Sequence, residues 1–143
     1  MLHTGQATVL PVTMWYAEML VDIGNASEVV LSSYMYDHPT VHSLLLRKLG
    51  KRAREPFTLI VQIDRGAVRW STPYYQKSRL TALRDAGARI FLCTGDKAGG
   101  IWHKKAVVVD RRYLYSGAAN ITNQSDAGEQ RRAGISDVGG ASH

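Results

Sequence analysis

The sequence contains one cysteine, Cys93, among 143 residues. An intramolecular disulfide framework is excluded, and so is a cysteine-rich zinc module. No run of about 18 apolar residues occurs, so no segment has the length needed to cross a bilayer as a helix. The first 46 residues hold no lysine or arginine. A secretory signal needs a positive start and a transit peptide needs arginines, and this N-terminus offers neither. These absences predict an intracellular, cytoplasmic protein without signal peptide or transmembrane segment. Metal-ligand spacing is also missing: His3, His38, His42 and His143 form no paired motif, so neither a metal nor another cofactor is expected.

What is present is an ordinary globular composition, 45% apolar and 21% charged, at a length that suits one domain. The net charge is +6, and it is unevenly placed. Residues 1–46 carry four acids (Glu18, Asp22, Glu28, Asp37), and all 18 basic residues follow, which leaves residues 47–143 at +10. A basic body favours an anionic partner such as nucleic acid, acidic lipid or a phosphorylated small molecule, against the alternative of a plainly solvated surface.

Residues 1–12 end at Pro11 and read as a short arm. Thr13 is placed to cap a helix from Met14 to about Asn25, with Trp15, Met19 and Ile23 at helical spacing. Val29 to Met35 reads as a strand, and Thr40 to Leu49 as a helix stopped by Gly50. Phe57 to Asp64 is an apolar strand of the kind covered on both faces. Residues 65–73 read as a connection, Tyr74 to Ala86 as a helix stopped by Gly87, and Arg89 to Cys93 as a strand. His103 to Val109 and Tyr113 to Ser116 suggest a hairpin turning through Asp110, Arg111 and Arg112. Asp126 to His143 holds one more short strand or is a loose tail. The alternation predicts an α/β layered domain, a mixed β-sheet flanked by helices, over residues 13–138, with 139–143 as a tail.

The chemistry concentrates in residues 101–120, IWHKKAVVVDRRYLYSGAAN. On a strand, His103 and Lys105 project to one face, where an ammonium can hold a phosphate oxygen beside an imidazole. Gly117 lets the backbone approach a ligand closely, and the Asn120 amide can donate to another oxygen. An isolated H-x-K carries little, because short motifs match by chance. The pattern here runs further: His103, Lys105, Asp110, Gly117 and Asn120 follow H-x-K-x4-D-x6-G-x2-N.

That pattern resembles the phospholipase D superfamily over roughly residues 13–130. The resemblance implies a phospholipase D-like fold and a metal-independent phosphodiesterase. In such enzymes the histidine, here His103, attacks phosphorus to form a phosphohistidine. A second histidine protonates the leaving oxygen and then activates water. Lys105 and Asn120, with the Gly117 turn, would bind and stabilise the phosphoryl group. Asp110 would anchor the turn and orient its neighbours, and Glu129 is the acid available to support His103. The sequence departs from the family at Ala118, where serine or glycine is usual, and Glu129 follows Asn120 at a shorter interval.

Only one H-x-K occurs. One copy supplies a nucleophile and no acid, so the resemblance implies a homodimer with His103 paired across a two-fold axis. Short single-motif members include metal-independent endonucleases and the mitochondrial cardiolipin hydrolase type. Single-stranded nucleic acid is the expected substrate. Anionic phospholipid is the alternative, and a catalytically weak phosphate-binding half of a two-motif protein is a third.

Other features have two readings each. Arg47, Lys48, Lys51, Arg52 and Arg54 either compensate a helix C-terminus or track a phosphate backbone. Trp70, Tyr74 and Tyr75, near Arg65, Arg69, Lys77 and Arg79, either pack a helix on the sheet or stack bases. Trp102 is expected to face away from His103. Gly95 to Gly100 lacks the Lys-Ser/Thr of a nucleotide-binding loop.

Overall fold

The computed structural model describes residues 2–4, 7–50, 53–70, 74–95, 100, 104–117, 121 and 130–137, with the main chain alone at 2–4, 69–70, 74–75 and 136–137. Its strands are β1 (Leu2–Thr4), β2 (Thr8–Leu10), β3 (Glu28–Ser33), β4 (Thr58–Asp64), β5 (Arg89–Cys93), β6 (Ala106–Val109), β7 (Tyr113–Gly117) and β8 (Gln130–Asp137). Its helices are α1 (Val12–Gly24), α2 (Pro39–Leu49), α3 (Arg65–Trp70) and α4 (Tyr74–Asp85).

The strands form one mixed sheet in the order β1-β8-β7-β6-β3-β4-β5, with β2 also paired to β8. β3, β4 and β5 run parallel, and β6 is antiparallel to β3. Parallel neighbours need a crossover, which α2 supplies between β3 and β4, and α3 with α4 between β4 and β5. The expected α/β layered architecture is therefore the one observed.

Alternation along the strands decides the two faces. Val29, Leu31, Leu59, Val61, Ile63, Val107, Val109 and Tyr115 join Trp15, Met19 and Ile23 of α1, Val41 and Leu45 of α2, and Leu80 and Leu83 of α4 in one buried core. Burying each such side chain contributes about 1.5–3 kcal/mol. On the other face Ile60, Val30, Val108 and Leu114 lie side by side in cross-strand register and stand outside that core cluster.

Several boundaries differ from the sequence reading, each for a local reason. α1 starts at Val12 with Pro11 in the capping position and no side-chain cap, so Thr13 does not cap it. Proline suits that place because its missing N–H has no partner to lose at a helix start. Residues 65–70 form a helix within the expected connection, and Asp64 Oδ2 caps it by accepting from Ala67 N at 2.8 Å. β6 begins at Ala106, because its partner β3 ends at Ser33; Lys104 and Lys105 precede the strand. β8 is an eight-residue strand that takes β7 on one side and both β1 and β2 on the other. Among the described residues no helix is long and apolar enough to cross a membrane.

Candidate active site

The β6–β7 hairpin carries the described part of the motif. Ala106 pairs with Ser116, so Lys105 and Gly117 flank the open end of the hairpin. Ala106 also pairs with Ser32, which sets Lys105 beside the carboxyl end of β3. Ligands of open α/β sheets gather at such strand ends. Lys105 is half-buried and Lys104 is exposed.

Asp110 sits at the closed end of the same hairpin. Four residues lie between it and Lys105, five steps of extended chain or roughly 16 Å at about 3.3 Å per residue. Its φ of 53° and the 56° of Arg111 make a left-handed turn, closed by Arg112 N donating to Val109 O at 3.0 Å. Such a turn matches the twist of a two-stranded hairpin, and aspartate tolerates it better than most residues. Asp110 Oδ1 accepts from Ser27 N at 2.8 Å and Glu28 N at 2.9 Å, which ties the turn to the start of β3.

The structure thus brings Lys105 and Gly117 together and leaves Asp110 one strand length away. His103, Asn120, Glu129, Ala118 and Trp102 lie outside the described residues. Ile121, which is bonded to Asn120, is described and is held from several sides. Ile121 N donates to Ser33 Oγ at 3.3 Å, and Ile121 O accepts from Asp37 N at 2.9 Å and His38 N at 3.2 Å. Ile121 forms a parallel bridge with Tyr36, and its side chain is buried.

Sequence reasoning missed the groups behind that attachment. Tyr36 N donates to Gln76 Oε1 at 2.7 Å, and Arg79 Nη1 donates to the Asp37 carbonyl. The Tyr36 hydroxyl and His42 Nδ1 are 2.9 Å apart. His38 Nδ1 accepts from Val41 N at 3.3 Å to cap α2, and the ring stacks on Tyr16 at 4.4 Å. Burial lowers the pKa of both histidines below the ordinary imidazole value, with Arg79 adding to the effect; Asp37 opposes it at His38. Burial also pushes the Tyr36 phenol up. A signal for Gln76 existed: it shares the helical face of Leu80 and Leu83, at i, i+4 and i+7, so a polar residue stands in an apolar stripe.

The described members of the basic cluster lie at the opposite end of the sheet, where α2 ends and β4 begins. Lys48 Nζ donates to Gly24 O at the end of α1 at 3.0 Å and lies 4.9 Å from the centre of the Phe57 ring. That is the helix-terminus role of such a cation. Lys51 and Arg52, and the side chains of Trp70, Tyr74 and Tyr75, fall outside the description. Gly95 N donates to Gly100 O at 3.0 Å, which closes the base of the glycine-rich loop. Among the described residues no group of three or more His, Cys, Asp or Glu side chains is placed to hold a metal.

Comparison with known proteins agrees with this architecture. Residues 19–130 match the family described as cardiolipin synthase, PLD-like domain. No curated protein sequence matches. NucT from Helicobacter pylori superposes with a TM-score of 0.70 at 16% identity, covering 94% of this chain and 86% of that one. Nuc from Salmonella typhimurium, a phospholipase D family member, gives 0.67 at 16% identity, covering 94% and 82%. Polyphosphate kinase from Porphyromonas gingivalis gives 0.56 at 12% identity, but only 22% of that chain is covered. The family match spans most of the sequence and the fold agrees with it, so the chain belongs to the phospholipase D-like domain family.

Proposed function

We propose that this protein is a metal-independent phosphodiesterase that cleaves nucleic-acid phosphodiester bonds through a phosphohistidine on His103. The observation that carries the reading is the complete His103, Lys105, Asp110, Gly117, Asn120 spacing in a chain of this family. The half-buried Lys105 beside Gly117 at the carboxyl end of β3 suits a phosphate. The +10 charge of residues 47–143 suits a polyanion.

In the proposed cycle the neutral His103 imidazole attacks phosphorus, and the bond from phosphorus to the leaving oxygen breaks. The protonated His103 of a second copy gives its proton to that oxygen. Now neutral, it takes a proton from water, whose oxygen attacks phosphorus and releases His103. The two imidazoles begin in opposite protonation states and titrate as a coupled pair. Lys105 and Asn120 stabilise charge on the equatorial oxygens, and Glu129 supports His103. Asp110 acts at a distance by holding the hairpin. A homodimer supplies the second histidine.

Incubation of the purified chain with labelled single-stranded DNA or RNA in excess EDTA tests the proposal. Cleavage that persists in EDTA and falls by at least about 10³-fold in His103→Ala supports it. Absence of cleavage of either nucleic acid overturns the nuclease form. The family description favours a second reading, anionic phospholipid, for which cardiolipin vesicles are the parallel substrate.

A further inference from the structure

The attachment of Ile121 has an unusual price in buried polar groups. Gln76 lies on the core face of α4 with 1% of its surface exposed. Its Oε1 accepts from Tyr36 N, which fixes the orientation of the amide and identifies the other terminus as Nε2. That Nε2 has no hydrogen-bond partner among the described residues. A buried donor left unsatisfied costs about 1–3 kcal/mol. Helix packing alone would favour leucine here, as at Leu80 and Leu83 on the same face.

What Gln76 accomplishes is a link between α4 and the motif. It holds Tyr36 N, and Tyr36 bridges Ile121. On either side of Tyr36, Ser33 Oγ takes Ile121 N, while Asp37 N and His38 N take Ile121 O. Arg79, one turn along α4 from Gln76, holds the Asp37 carbonyl. Both backbone groups of Ile121 are therefore fixed by a segment that α4 braces at two points. Asn120 directly precedes Ile121 in the chain. Whatever fixes Ile121 limits where the Asn120 amide can reach.

We propose that Gln76 is a positioning residue that acts through Tyr36 and Ile121 to hold Asn120 in place for phosphoryl transfer. The inference rests on the proposed phosphodiesterase reading, and its first test is independent of activity. Amide hydrogen exchange is compared in the unaltered protein, Gln76→Leu and Ser33→Ala. The expected result is lost protection at Ile121 in both variants, with Val29 and Leu31 of β3 still protected. Retained protection at Ile121 in a folded Gln76→Leu overturns the link.

The second test is kinetic. Gln76→Leu is expected to lower kcat about ten- to a hundredfold at unchanged KM, because a misplaced group costs the chemical step rather than ground-state binding. Gln76→Glu restores an acceptor for Tyr36 N and is expected to recover kcat to within about threefold of the unaltered protein. Unchanged kcat in a folded Gln76→Leu overturns the proposal, as does a rise in KM alone or a failure to recover in a Gln76→Glu variant whose Tm matches that of the unaltered protein. If the unaltered protein cleaves no phosphodiester, the phosphodiesterase reading falls, while the exchange experiment still decides whether Gln76 holds Ile121.

Discussion

Asp110 and Glu28 hold each other twice. Asp110 N donates to Glu28 O at 2.9 Å, and Glu28 N donates to Asp110 Oδ1 at 2.9 Å. The same Oδ1 also takes Ser27 N. A carboxylate accepting two backbone N–H groups is worth more than a neutral pair. Asp110→Ala is expected to destabilise the protein by about 2–4 kcal/mol in urea unfolding, since it removes both bonds and suits the left-handed backbone poorly. Asp110→Asn keeps an acceptor and tolerates the turn, so about half that loss is expected.

Gly87 stops α4 with φ of 113°, and a Cβ built there meets nothing within 4 Å. The cost of Gly87→Ala is therefore backbone strain alone. A loss of about 1–3 kcal/mol is expected, with activity retained under conditions where the variant stays folded. Gly24→Ala, also in open space but in helical backbone, serves as the control and is expected to be neutral or stabilising.

Tyr115, Asp22 and Arg132 form a triangle between α1 and the sheet. Tyr115 Oη donates to Asp22 Oδ2, and Arg132 Nε donates to Asp22 Oδ2 at 3.0 Å and to Tyr115 Oη at 2.9 Å. Tyr115→Phe is expected to cost about 1–2 kcal/mol. A double-mutant cycle of Tyr115→Phe with Asp22→Asn should show coupling of about 0.5–2 kcal/mol, because the two share one network. By contrast, Arg84→Ala is expected to change stability by less than about 0.5 kcal/mol, because its pair with Asp85 is largely solvent-exposed on both sides.

His38 and His42 are expected to make the fold sensitive to mild acid. Their pKa values are lower in the folded protein than the ordinary 6.5. The folded state then binds fewer protons than the unfolded state in the window below about pH 6.5. Stability is complete above that value and is lost as pH falls towards the folded pKa values. Thermal melts from pH 8 to pH 5 should show a falling Tm, and His42→Gln should flatten part of the fall. An equal slope in that variant would exclude a contribution from His42.

Much of this architecture is legible because single residues enforce it. Arg89 to Cys93 emerges as a strand because Gly87 ends the helix before it and only a short apolar run follows. The hairpin is readable because two β-branched or aromatic runs enclose Asp110, Arg111 and Arg112. α3 is hard to read because glycine at position 66 suggests a loop, although Asp64 three residues before Ala67 is a helix-start signal. Alternation predicts strand at Lys104 and Lys105, whereas β6 begins at Ala106, opposite Ser32 near the end of β3. The segment after β3 is held by Gln76, 40 positions from Tyr36, and by Ile121, 88 positions from Ser33. Local pattern contains no trace of such contacts. The motif names the reacting groups by spacing, but the clamp on Ile121 is visible only once the sheet is assembled.

β8 closes the sheet against residues made long before it. Leu10 pairs with Gln130, and Trp15 Nε1 donates to Arg131 O at 3.0 Å. During synthesis at about 5–20 residues per second, β2 waits roughly 6–24 s for its partner. Until then Trp15 lacks the Arg131 carbonyl for its indole, and once β7 is made its outer edge lacks β8. A chain that stops before Gln130 lacks the strand that β1, β2 and β7 all pair with, so the sheet is completed only by its last-made strand.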